Sequence, residues 1–218
     1  EISECLVGSE MCIRDRLYET RGDAKFYYSY DANGILYNVR YTLTDGDTEY
    51  SYYYTHNSRG DIVGIYNGVG ELKAHYEYDA WGNVISITDN NGNAITNPNH
   101  IGNLNPFRYR GYYQDTETGL YYLMSRYYDA VTHRFINADG YFQSGTSILD
   151  ANTFAYCGNN PVLNVDPLGT CKVPNYTSAG TYIGHTWKIK ESVPGVPGFC
   201  NVCKGCLLYT SSSPRDTR

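Results

Sequence analysis

Cys200 and Cys203 stand at the C-x-x-C spacing that makes half of a zinc site. Zinc takes four ligands, and the second pair is missing: Cys171 is distant, and Cys206 falls in a terminal stretch set aside below. His56, His75, His100, His133 and His185 have no metal-binding spacing, and structural roles are read for them. No cofactor or metal is therefore expected, with Cys200 and Cys203 the weak candidates. A second place invites attention. Asp166-Pro167-Leu168-Gly169 reads on its own as a tight turn, with Pro at the favoured second position. Yet the texture of the chain changes just there. Upstream it is a weave of Tyr, Asp, Asn and Gly; downstream it carries Lys, Pro, Ser and Cys with no repeat. That junction is the place to look for function. Arg59-Gly60-Asp61 spells an adhesion tripeptide, but it lies in a repeated turn and recurs as Arg21-Gly22-Asp23, so it is read as chance.

The elements that must position these residues are strands. Tyr is the compositional outlier, with 25 copies against 6 Phe and 2 Trp, alongside 22 Gly and only 18% charged residues. Aromatic side chains fit the half-buried pleated face of a sheet, and no 3.6-residue periodicity argues for a helical bundle. The formal charge of −6 is scattered, so no basic footprint invites nucleic acid. No apolar run reaches the ~18 residues of a membrane span.

A short pattern recurs: an aromatic or similar residue, Asp or Asn, two variable positions, Gly, one more, then an apolar residue. Copies start at Tyr30, His56, Tyr66 and Tyr78, with degenerate ones at Tyr18 and Thr88. Asp or Asn bonds to the backbone two residues on, and Gly accepts the positive φ that closes a turn. The stretches between turns alternate with the strand period of two. A second duplication follows, in which Asp115-x-x-Thr118-Gly119 is echoed by Asp129-x-x-Thr132-His133. The expected fold is all-β, an antiparallel meander that buries little alone and needs neighbours on both sides.

The ends share no motif with the middle. Residues 1–16 and 206–218 resemble translated sequencing-adapter DNA and are left out of fold reasoning as non-native. They are expected to pack against nothing, and the chain is expected to be an internal piece of a longer parent. Removing them leaves Cys157, Cys171, Cys200 and Cys203, too few for a disulfide scaffold.

The Tyr-Asp repeats, followed by RYRGYYQDTETGLYYLMSRYYDAVTHRFINADG and FAYCGNNPVLNVDPLG, resemble the RHS or YD-repeat family; the second block is similar to its RHS-repeat-associated core. The resemblance covers about residues 18–169. It implies a division into a YD-repeat meander at 17–103, a core at 104–169, and the start of a truncated variable region at 170–205. It further implies that the meander is part of a larger β-shell, a cocoon around a C-terminal toxin, sealed by the core. In several members of the family the core cuts the chain just after D-P-x-G with aspartates and an arginine.

Carried over residue by residue, the arginine of R-Y-Y-D falls on Arg126, the aspartate ending R-F-x-x-x-D on Asp139, and that of D-P-x-G on Asp166. The junction is then Gly169, Thr170 and Cys171, with Thr170 where the family often has Leu; the cut is expected between Thr170 and Cys171. Two carboxylates sharing a proton could activate water and protonate the leaving nitrogen, with the arginine holding one ionised. Bland readings stand beside these: Asp139 precedes Gly140 and suits a turn, and Arg126 suits a structural pair. At most this is intramolecular aspartyl-type autoproteolysis, with no turnover enzyme. The implied partner is the protein's own toxin region, with a secretion-system component or cell-surface carbohydrate beyond it. The implied location is secreted or cell-surface. A non-enzymatic surface protein binding carbohydrate or neighbouring cells is the alternative.

Overall fold

One turn, built five times over, organises the larger sheet. At Asp31, Asn57, Asn67, Asp79 and Asp89 the side-chain Oδ1 accepts from the backbone N–H groups two and four residues on. The Gly three positions on donates back to the first residue's carbonyl. Gly34, Gly60, Gly70, Gly82 and Gly92 all have φ between 76° and 96°, the region open to glycine at little cost. The copy beginning at Thr88 is thus a full one. Tyr18 instead lies inside a strand, and its hairpin is a tighter turn with Gly22 at φ 57°.

The computed structural model describes residues 16–42, 48–139, 152–169 and 173–174. Thr170, Cys171, Cys200, Cys203 and nearly all of both end segments lie outside them. Seven described strands run in sequence order as one antiparallel sheet: β1 (Tyr18–Arg21), β2 (Ala24–Tyr30), β3 (Leu36–Thr42), β4 (Glu49–His56), β5 (Ile62–Asn67), β6 (Leu72–Tyr78) and β7 (Val84–Thr88). This is the expected meander. Four of the repeat turns add a feature the pattern did not announce. The register skips one residue just after the first residue of the strand that follows, at Tyr37, Val63, Lys73 and Ile85. Each is a β-bulge, which adds local twist.

One face of the sheet is buried under Phe26, Tyr28, Val39, Tyr54, Ile65 and Tyr76. A one-turn helix, α1 (Ile101–Leu104), covers it, with His100 accepting at its N-terminus through Nδ1. Buried hydroxyls hold this cover down: Tyr76 donates to Gly102 O at 2.7 Å and Tyr54 to Asn105 Oδ1 at 2.9 Å. In β1, Glu19 is buried with Arg21 and the hydroxyls of Tyr28 and Tyr113. Burial pushes its carboxyl up, but the bonds and charge of Arg21, the Tyr113 hydroxyl and the Arg16 charge outweigh that and hold it below its ordinary value. Arg16 departs from the expectation for the first segment, since its guanidinium sits 4.1 Å over the Tyr113 ring.

A four-stranded antiparallel sheet follows, formed by β8 (Tyr113–Gln114), β9 (Tyr121–Leu123), β10 (Arg126–Asp129) and β11 (Arg134–Phe135). A short pair, β12 (Asn164–Val165) with β13 (Val173–Pro174), closes the described chain. The duplicated turns match: Asp115 and Asp129 each accept from the Thr hydroxyl three residues on, and His133 takes the positive φ that Gly119 takes in the other copy.

The smaller unit docks on two turns of the larger. Tyr109, Tyr128 and Tyr121 donate their hydroxyls to three successive carbonyls, Ala80, Trp81 and Gly82, at 2.7–2.9 Å. The Trp81 ring stacks on His133 at 4.2 Å. At the other turn, Asp61 is fully buried, accepts from Arg110 N at 3.0 Å and lies 3.6 Å from the Arg110 guanidinium. The Arg-Gly-Asp tripeptide therefore has its carboxylate inside the protein.

This reliance on buried phenols fixes an alkaline limit. Burial raises the Tyr76 hydroxyl to about 12, and burial with the Glu19 charge raises Tyr113 to about 12. The folded protein keeps these protons where the unfolded chain has lost them. Their contribution is complete below the unfolded value of roughly 10 and is lost as pH rises from there through about 12. Tyrosinate absorbance and far-UV circular dichroism, followed together, are expected to change in one cooperative step over that window. A smooth titration with the sheet signal intact would contradict this.

Candidate functional site

A tight hairpin carries the first group. Leu123 and Arg126 pair across it, and Met124 at its tip takes φ 62°, a backbone region that non-glycine residues rarely occupy. The hairpin sets Arg126 at the start of β10 with its guanidinium carbon 3.5 Å from the Phe135 ring centroid, close enough for cation–π attraction. Asp139 comes in after β11, with its backbone N–H donating to Thr153 O at 2.9 Å. Asp166 follows β12, and the Tyr112 hydroxyl holds its carbonyl at 2.9 Å.

All three sequence candidates meet at one atom. Arg126 Nη2 lies 3.2 Å from Asp139 Oδ2 and 3.3 Å from Asp166 Oδ2. Arg126 is 6% exposed, Asp166 2% and the Asp139 side chain 12%, so the cluster is shielded from water with Asp139 at its rim. The rest of the guanidinium is also engaged: Nη1 donates to Thr153 O at 2.9 Å, and Nε donates to Gly169 O. The arginine thus ties both carboxylates to the carbonyl at the junction. At 3.2 and 3.3 Å these carboxylate contacts are longer than the ~2.7–2.9 Å of the tightest charge-assisted bonds. The arrangement sets two carboxylates on one cation, beside a peptide carbonyl.

Sequence reading missed one member of this cluster. Ser125 Oγ lies 2.7 Å from both Leu168 O and Gly169 O. Nothing in a single serine between Met124 and Arg126 announces that. Gly169 itself is held by geometry: it has φ 68°, and a Cβ there would lie 2.6 Å from Leu123 O and 2.9 Å from Ser125 Oγ. Among the described residues no group of three or more His, Cys, Asp or Glu could hold a metal ion.

A family profile described as RHS Repeat matches residues 56–94, which takes in four of the five turns above. The chain is 40% identical over 155 residues to the tRNA3(Ser)-specific nuclease WapA of Bacillus spizizenii, a match covering 70% of this chain and 6% of that protein. It is 32% identical over 144 residues to double-stranded DNA deaminase toxin A of Burkholderia cenocepacia, covering 66% of this chain and 8% of that one. The chain therefore spans under a tenth of the length of either. Among solved structures it is similar to TcdB2-TccC3 without its hypervariable C-terminal region, with a TM-score of 0.55 and 23% identity over 67% of this chain and 6% of that one. At that identity the likeness bears on the fold alone.

Proposed function

The chain belongs to the RHS-repeat family, and from that premise we propose that it is the shell-and-processing module of a larger polymorphic toxin. Residues 17–103 are one stretch of the wall, residues 104–169 are the core that seals it, and the variable toxin region begins at 170. The relatives named as a nuclease and a deaminase toxin support this, because each is far longer than the stretch that matches. Such a protein acts outside the cell that makes it, secreted or displayed on the surface. Its partners are its own toxin region and the secretion machinery.

The observation that carries the processing role is the single guanidinium that holds Asp139, Asp166 and the Gly169 carbonyl. One carboxylate takes a proton from water as the water oxygen bonds to the carbonyl carbon just after the D-P-L-G element. The other carboxyl, protonated, gives its proton to the departing amide nitrogen. The C–N bond breaks, leaving a new carboxyl end and a new amine end. Arg126 holds the first carboxylate ionised and offsets the charge that develops on oxygen. Intact-mass measurement of the full-length protein tests this: two species meeting between Thr170 and Cys171 are expected, and a single uncut chain would overturn it.

A second reading rests on Tyr27, Tyr37 and Tyr53, which are 38–45% exposed. Aromatic faces of this kind suit stacking on sugar rings, as a surface protein that binds carbohydrate would need. Retention on immobilised polysaccharide, lost in Tyr27→Ala and Tyr53→Ala, would favour it.

A further inference from the structure

The Asp166–Gly169 element is not merely near the carboxylates; it is clamped to the β9–β10 hairpin. Ser125 Oγ reaches two consecutive carbonyls, Leu168 O and Gly169 O, at 2.7 Å each, and Ser125 N lies 3.4 Å from Leu168 O. A hydroxyl has one proton to give, so it is shared between the pair or alternates between them. Arg126 Nε supplies a second donor to Gly169 O. On the remaining side, Leu123 O and Ser125 Oγ leave no room for any side chain on residue 169. The positive φ of Met124 turns the hairpin back on itself so that Ser125 faces the element. No nucleophilic role follows for this serine, because no histidine or lysine is seen bonded to it among the described residues.

We propose that Ser125 is a positioning residue that sets the register of cleavage: by gripping the last two carbonyls of the D-P-L-G element, it decides which peptide bond beyond Gly169 meets the carboxylates. The inference rests on the processing role proposed above. Its logic is geometric. Arg126 already serves both aspartates and Thr153, so its hold on Gly169 O is one bond among several. Ser125 spends its hydroxyl on the element alone, within the bonds seen here. Without it, the two carbonyls lose a common anchor and the chain beyond can slide by a residue. Displacement by about 1 Å at a reacting centre costs on the order of 10²-fold in rate.

The test uses the full-length protein with Ser125→Ala, Ser125→Cys and Ser125→Thr, reading both the cleaved fraction over time and the mass of the new end. Wild type is expected to give one terminus. Ser125→Ala is expected to cut roughly tenfold more slowly or worse and to give a ragged end differing by whole residues. Ser125→Cys, a weaker donor of similar size, is expected to fall between. Ser125→Thr restores the hydroxyl and is expected to restore both rate and single terminus. A merely structural serine would change the rate or the fold without making the end ragged. If Ser125→Ala is lost to misfolding, the Cys and Thr variants decide alone. A Cys variant that matches wild type in rate and terminus overturns the register role while leaving the processing role standing. A wild-type chain that stays whole overturns both.

Discussion

Asp139→Asn and Asp166→Asn are each expected to leave the full-length protein uncut while its fold survives. Asparagine keeps the volume of aspartate, and its Oδ1 can still accept from Arg126 Nη2, now 3.2 Å from Asp139 and 3.3 Å from Asp166. What it cannot do is take up or release a proton, which in a positioned acid–base pair is worth about 10²–10⁴-fold. The two variants should differ in stability. Asp166 is 2% exposed and Asp139 sits at the rim, so Asp166→Asn should cost more. Arg126→Ala is the blunter experiment. It strips a shared cation from two shielded carboxylates and from the Phe135 ring, and removing one partner of a buried ion pair costs roughly 3–5 kcal/mol. Its loss of cutting should therefore come with a lower unfolding midpoint, and the asparagine variants carry the decision. The measurements are intact mass and denaturant unfolding on the same samples. Both asparagine variants cutting at the wild-type rate would remove the carboxylates from the mechanism.

Gly82→Ala is expected to be the most damaging single-methyl change in the repeat sheet. Gly82 has φ 96°, and a Cβ built there falls 2.5 Å from Tyr109 Cδ1 and 2.7 Å from Cγ. Tyr109 cannot move aside freely, because it is fully buried and its hydroxyl is committed to Ala80 O. A left-handed alanine costs roughly 1–2 kcal/mol, and forcing an extra carbon into a packed core adds about 1–3 kcal/mol. The total is on the order of 3 kcal/mol. Gly34→Ala and Gly70→Ala are the controls: both have positive φ, but no atom lies within 4 Å of the added Cβ. They should cost the backbone share alone. Equal losses at all three positions in denaturant unfolding would refute the contact-based argument.

How much of this was legible beforehand differs from element to element. The turns were, because an Asx side chain and a glycine at fixed spacing write their hydrogen bonds into the sequence, and alternation between them gives the strands. The bulges after four of those turns were not, since a skipped residue leaves no compositional mark. Arg126, Asp139 and Asp166 were named through a family resemblance; their spacing of 13 and 27 residues says nothing about convergence on one nitrogen. Ser125 was invisible, because its partners are backbone carbonyls more than 40 residues away. The excess of tyrosine over phenylalanine speaks in the sequence only for sheet-forming bulk. Its hydroxyls matter as much: at Tyr54, Tyr76 and Tyr121 they donate to buried partners, and at Tyr109 and Tyr128 to carbonyls of the docking turn.

The docking of the smaller unit on the turns at 57–61 and 79–83 also bears on how such an array can evolve. Repeat arrays change copy number easily when every unit meets neighbours like itself. Successive hairpins alternate between the two ends of the sheet, so these two turns lie at the same end with β5 and β6 between them. Asp61 answers to Arg110, and the carbonyls of residues 80–82 answer to three particular phenols. Gaining or losing a hairpin between them would part the two anchor points from their partners. Upstream strands answer to particular partners as well: Glu19 accepts from the Tyr113 hydroxyl, and Tyr54 donates to Asn105. The described hairpins from β1 to β7 are therefore expected to be inherited together with the core as one block.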